Sequence, residues 1–239
     1  MKRIGLIILL FWAICIFNTY GQQVLFGAKG AFAKTHILNN YITELSTVAD
    51  YKPSFGGSIG LLGGYKFLND FRITTEILFD IHTQRYNGLM GLYNEPFEST
   101  TKLQSLEIPL IFRYGDLWFI EFGGGFSYLH KATNDYTLHD NVRHDFNVYN
   151  ITTCLGGGFD IYAAPKIILT VGMRAKFGPV NIKGVDSRGL SIHDDLGPLY
   201  GNYYKTHTLS VGIYISARTK FKIRSNKYLQ TKGKGKNNC

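Results

Sequence analysis

The chain has 239 residues, with 26 Lys and Arg against 17 Asp and Glu for a formal charge of +9, 45% hydrophobic and 15% aromatic side chains, and three Cys. This apolar and aromatic content excludes a disordered chain, and three cysteines exclude a disulfide scaffold. Beyond the N-terminus no apolar run approaches the roughly 20 residues a spanning helix needs, which excludes a multi-span helical membrane protein.

In chain order, Lys2 and Arg3 come first, and residues 4–17 then form an uncharged, almost wholly apolar run. This is the pattern of a secretory signal peptide, predicted over residues 1–21 with cleavage after Gly21. The run is short for a membrane anchor. Cys15 follows Ile14, where a lipoprotein signal would carry a small residue. Two cations belong to this segment and eight to the C-terminal end, from Arg218 to Lys236. The body between them holds all the acids and is nearly neutral, so it carries no electrostatic footprint for nucleic acid. Cys154 and Cys239 are too far apart in context to predict a disulfide, and no CxxC or His/Cys cluster predicts a metal. No cofactor is expected.

The body alternates with period two, which is strand periodicity. Residues 24–34 and 53–67 are Gly-rich versions of the pattern. Over residues 71–84, Phe71, Ile73, Ile77, Phe79 and Ile81 share one face, and Arg72, Glu76, Asp80 and His82 the other. Over 102–114, Leu106, Ile108, Leu110, Phe112 and Tyr114 oppose Ser105, Glu107, Pro109 and Arg113. Over 117–131, Trp118, Ile120, Phe122, Phe126 and Tyr128 oppose Glu121, Gly123, Gly125 and Ser127. The same division holds over 148–163, 166–177 and 208–218, with Asp160, Arg174 and Lys176 on the polar faces. That makes eight strands.

Their connections alternate in length. Residues 35–52, 85–101, 132–147 and 178–203 are long; 68–70, 115–116 and 164–165 are tight. This is an up-and-down meander with the long loops at one end, and closure removes the exposed edges. A soluble sandwich or lipocalin-like barrel would turn its polar face outward. Here the apolar face is the bulkier one, too bulky for a small-barrel interior. Aromatics at the segment ends (Tyr65, Phe67, Phe71, Tyr114, Trp118, Tyr128, Tyr162 and Phe177) fit interfacial girdles. The expected fold is an all-β, eight-stranded antiparallel up-and-down transmembrane β-barrel over residues 22–218, followed by a basic tail at 219–239.

With polar faces inward, the lumen is predicted to hold a charge network of Lys29, Arg72, Glu76, Asp80, Glu107, Arg113, Glu121, Asp160, Arg174 and Lys176. Charges in so narrow a space must pair. Eight strands leave room only for side chains, so a plugged lumen is expected, with a narrow polar channel as the alternative. The Gly clusters at 56–57, 63–64, 123–125 and 156–158 lie inside strand patterns with no helix following, so they read as aids to curvature and not as phosphate loops.

Three segments carry a family resemblance: Leu106-Glu107-Ile108-Pro109-Leu110, Gly27-Ala28-Lys29-Gly30 and the Gly21-Gln22 junction. With them, nearly the whole body resembles the PorT-like eight-stranded outer-membrane β-barrel proteins of the Bacteroidota, a broad outer membrane protein β-barrel family. The resemblance implies a cell-envelope role and a link to type IX secretion or gliding. The C-terminus departs from that pattern, with a basic stretch where such barrels often end on an aromatic strand.

The resulting expectation is a non-enzymatic integral outer-membrane module with long loops outside and both termini periplasmic. Its expected partners are lipopolysaccharide, phospholipid and envelope or secretion-system proteins. A lipid-modifying enzyme is the third reading. It would draw on His36, His139, His144 or His193 in outer loops, with His139-Asp140 and His193-Asp194-Asp195 able to orient an imidazole. No nucleophile elbow accompanies them. The basic tail could touch anionic headgroups or a partner.

Overall fold

The computed structural model describes residues 23–40, 42, 49–67, 70–90, 95–136, 141–187, 191 and 205–222. The signal segment and residues 223–239 of the tail lie outside them.

Among the described residues nine strands form, β1 (Gln23–Asn39), β2 (Ala49–Lys52), β3 (Phe55–Lys66), β4 (Phe71–Met90), β5 (Glu95–Tyr114), β6 (Trp118–Asn134), β7 (Tyr149–Ala164), β8 (Ile167–Gly178) and β9 (Thr206–Lys222). All pairings are antiparallel. From β3 to β9 each strand pairs with the next in sequence, and β1 pairs with both β3 and β9 to close the ring. β2 continues β3 along the outer part of β4. Pro53 and Ser54 interrupt this stave: Pro53 has no N–H to donate, and the Ser54 hydroxyl accepts from the Arg85 N–H at 2.8 Å. Nine strands therefore make eight staves.

The register fixes the barrel's girth. Starting at Phe26, the partners run through Gly63, Thr75, Leu110, Gly124, Thr153, Phe177 and Leu209, and return to β1 at His36, ten residues along. Eight strands with this stagger tilt by about 40° and enclose space for side chains only.

The faces divide as strand periodicity requires. Ile77, Phe79, Leu106, Ile108, Leu110, Ile120, Phe122, Leu155, Ile213 and Ile215 are exposed on the outer surface, while Arg72, Glu76, Asp80, Glu107 and Arg113 are buried inside. On β4 the apolar outer positions run from Phe71 to Ile81, a band roughly 25 Å high at this tilt. A continuous outer band of this size cannot face water in a monomeric soluble protein; it is a membrane-spanning surface. Aromatic rings mark its two edges. Phe67, Phe71 and Tyr114 stack in series near the tight turns, and Tyr128 packs on Tyr149 near the opposite rim.

Several features differ from the pattern read in sequence. Residues 85–101, expected as a long loop, are mostly strand, because β4 and β5 pair up to Met90 and Glu95. The cause is an inversion of polarity. Above the apolar band the outside is water, so Arg85 and Glu98 point out while Tyr86 and Phe97 are buried inward. A search for an apolar outer face misses this. At the same level β6 carries one extra residue opposite Gln104/Ser105. Its buried positions change there from odd (Glu121, Ser127, Leu129) to even (Ala132, Asn134). At the other end, β9 runs to Lys222, so residues 219–222 continue the last strand and do not begin the tail.

Two glycines answer to specific geometry. Gly115 turns the chain between β5 and β6 at φ +117, and a Cβ there would meet the Trp118 carbonyl at 2.1 Å. Gly172 leaves room for the Tyr214 ring, whose atoms would lie 2.6–2.8 Å from an added Cβ.

Candidate functional site

The lumen is the candidate site, and it is built in tiers. The ten residues predicted for it are brought inside from six strands, β1 and β4 to β8, nine of them buried and Lys176 half-buried.

Nearest the tight turns, Asp160 of β7 is fully buried and gathers the charges around it. It accepts from Arg72 at 2.5 Å, from Arg218 at 2.6 Å and from the Thr170 hydroxyl at 2.7 Å, with Arg113 at 3.5 Å. In the middle tier, Glu76 accepts from Lys29 at 3.0 Å and from both terminal nitrogens of Arg174 at 2.7 and 3.0 Å. Glu121 accepts from Arg174 Nε at 2.8 Å and Arg113 Nη2 at 3.0 Å. Arg113 thereby ties the two tiers together. Tyr214 stands among them: its hydroxyl accepts from Arg113 at 3.1 Å and its ring lies 4.1 Å beneath the Lys29 ammonium. In the third tier Lys176 donates to Asp80 at 2.5 Å and Glu107 at 2.6 Å. Thr152 also donates to Glu107, and His82 Nε2 lies 3.3 Å from Asp80.

Toward the long loops the lumen turns apolar. Ile37, Leu103, Leu129 and Ala132 of the strands pack with Val142 and Phe146 from the β6–β7 connection and Ile182 and Val185 from the β8–β9 connection. Backbone bonds fix these segments over the mouth: Val142 N–H to Ala132 O at 3.1 Å, Asn147 N–H to Ile182 O at 2.8 Å, Ile182 N–H to Thr206 O at 3.0 Å. The region of the ion pairs contains cavities of ≈ 30 and ≈ 20 Å³, room for one or two waters each.

Sequence reasoning missed Arg218, which it counted with the tail, and Tyr214, Thr170, Thr152 and His82 as members of the network. The signal was available. Ser210, Gly212, Tyr214, Ser216 and Arg218 are one period-two face of β9. Tyr162, assigned to a girdle, instead donates its hydroxyl to Asp116 at 2.7 Å across the mouth at the tight-turn end. Of the histidines, His36 lies within β1 and not in a loop. His144 is exposed, 3.3 Å from the Asp145 carboxylate. His139 and His193 fall outside the described residues.

No family model matches the chain, and no curated protein does. Solved structures similar to it include Neisserial surface protein A, at 16% identity and a TM-score of 0.39, covering 84% of this chain and 99% of that one. The outer membrane protein OprG from Pseudomonas aeruginosa is similar at 10% identity and a TM-score of 0.40, covering 87% and 99%. The outer membrane protease OmpT from Escherichia coli is similar at 10% identity and a TM-score of 0.31, covering 87% and 100%.

Proposed function

We infer that this protein is an integral outer-membrane barrel that acts as a structural or interaction module: it holds a rigid, sealed scaffold in the membrane and presents its outer surface to a partner. One observation carries the reading. Above its tight-turn mouth the lumen is filled by three tiers of ion pairs and then by an apolar cap, and the cavities beside the Glu76 and Glu107 pairs hold a water or two each. A conducting pore needs a continuous wet path, and a solute carrier needs a chamber. The outer-membrane assignment rests on the closed barrel with its apolar band, since only closed barrels and helices satisfy their backbone groups in lipid. The orientation in this reading, long loops extracellular and both ends of the barrel periplasmic, is supported by the alternation of long and short connections. Lipopolysaccharide and phospholipid surround it.

The finer role, in a cell-envelope or type IX secretion-related assembly, rests on the PorT-like resemblance of Leu106–Leu110 and its companions. Planar-bilayer recording of the purified protein tests the sealed scaffold: no unitary conductance is expected, and discrete openings would contradict it. Cross-linking in intact cells from positions on the protruding β4–β5 hairpin, such as Arg85 or Glu98, tests the partner. Specific adducts with envelope proteins are expected.

A further inference from the structure

The end of the lumen with the tight turns is built unlike the rest. A cavity of ≈ 280 Å³ opens there, lined by Gln23, Leu25, Lys66, Arg72, Asp116, Tyr162, Ile168 and Lys220. These come from β1, β3, β4, β7, β8, β9 and the β5–β6 turn, so the cavity is the mouth of the barrel itself. Its lining is polar at the rim, with Lys66, Lys220, Asp116 and Tyr162, and closed below by buried Leu25, Arg72 and Ile168.

The charges at this mouth do not balance. Farther up the lumen Lys176 has Asp80 and Glu107 to itself, and Lys29 and Arg174 divide Glu76 between them. Here Arg72, Arg113 and Arg218 converge on the single carboxylate of Asp160. Arg113 also reaches Glu121, but that acid is shared with Arg174. Asp116 is the acid that lines the cavity. It already answers both Lys66 at 2.9 Å and Arg72 at 3.3 Å. Lys220 adds a further cation, its ammonium 5.2 Å from the Tyr162 ring. Five cations thus face two acids and half a share in a third. The Nε–H groups of Arg72, Arg113 and Arg218 are buried and find no acceptor among the described residues. A buried guanidinium without enough acceptors is costly. The arrangement is short of negative charge, and beside it lies a cavity large enough to admit an anion.

We propose that this periplasm-facing mouth binds a phosphate-bearing anion, held between Lys66, Lys220 and the Arg72 guanidinium, with the Tyr162 hydroxyl and Gln23 at its margin. Planar guanidinium and mobile ammonium groups together suit a phosphate's several oxygens. The cavity exceeds a bare phosphate, so the ligand is a phosphate ester with a small organic part. The phosphate can belong to a soluble ester or to a lipid headgroup of the adjoining leaflet. The site is independent of the sealed-scaffold reading, since it lies at the mouth and opens no path through the lumen.

The test uses the whole mature chain in dodecyl maltoside micelles, which carry no phosphate, and follows the Arg72 Nε–H and Lys220 signals by NMR. Inorganic phosphate is titrated against chloride at equal ionic strength. In a second arm, phosphatidylglycerol is added to the micelles and no inorganic phosphate is present. Saturable shifts with phosphate identify a soluble source; shifts with phosphatidylglycerol alone identify a headgroup. Either supports the site. The paired rim variant Lys66→Gln with Lys220→Gln, checked for folding by its gel mobility, is expected to weaken binding by about tenfold or more. Lys220→Gln alone gives the same reading if the pair does not fold. Shifts in neither arm, or shifts that survive the rim variants unchanged, overturn the proposal.

Discussion

Asp160 is where a single atom group decides most. It is fully buried and takes hydrogen bonds from three guanidinium groups and a hydroxyl. Asp160→Asn removes the charge and leaves Arg72, Arg113 and Arg218 facing one another. Breaking a buried pair from one side costs about 3–5 kcal/mol, so the urea midpoint of the refolded barrel in vesicles is expected to fall accordingly. Gly172→Ala is the steric counterpart. The new methyl meets the Tyr214 ring, which must shift away from Lys29 and Arg113; overpacking of this kind costs about 1–3 kcal/mol, read in the same assay. Asp116, in the turn outside the membrane, titrates differently from an ordinary carboxylate. Its partial burial alone would raise its pKa, but hydrogen bonds from Tyr162 and Lys66 and the nearby charges of Lys66 and Arg72 outweigh that and hold it below the ordinary aspartate value of 3.8. Its folded pKa is thus below its unfolded one. The stabilisation it lends is present above the unfolded value and is lost as pH falls through the folded one. An NMR titration should place its midpoint below 3.8, and Tyr162→Phe should move it upward.

At the scale of elements, the two halves of each long strand obey opposite rules. On β4, Ile77 and Phe79 face lipid while Glu76 and Asp80 face the lumen; farther along, Arg85 faces water while Tyr86 is buried. This is why the spans were legible and the hairpin was not. Period-two apolarity reports a lipid-facing surface, and it fades where the surroundings change to water although the strand continues. The bulge in β6 and the break at Pro53-Ser54 occur at this same transition, and Pro53 alone was visible as a sequence signal. The charged lumen residues were legible because a charge on a strand otherwise facing lipid can only point inward. Tyr214 and Arg218 were passed over although they share the polar face of β9, because an aromatic ring and a cation beside a basic tail each have a commoner explanation. The cap formed by Phe146, Ile182 and Val185 was invisible for another reason: it joins two connections far apart in sequence. Phe146→Ala should leave a cavity costing about 3–5 kcal/mol locally. Limited proteolysis is expected to cut the 141–147 and 182–187 segments sooner while the barrel strands stay protected. Unchanged cleavage would show that the cap does not hold them.

For the molecule as a whole, closure, stagger and polarity form one argument. Eight staves with a stagger of ten residues give a bore that side chains fill, and the ion pairs fill it. The apolar surface that a soluble fold would hide is turned outward, where only lipid can cover it. The most direct measurement of this is cell fractionation followed by a heat-modifiability gel on the outer-membrane fraction. The account predicts a band that stays with the outer membrane through a carbonate wash and changes mobility only after boiling, because a closed barrel resists detergent until its strands separate. A soluble band with no shift on boiling would contradict it and would require every strand face to be turned the other way.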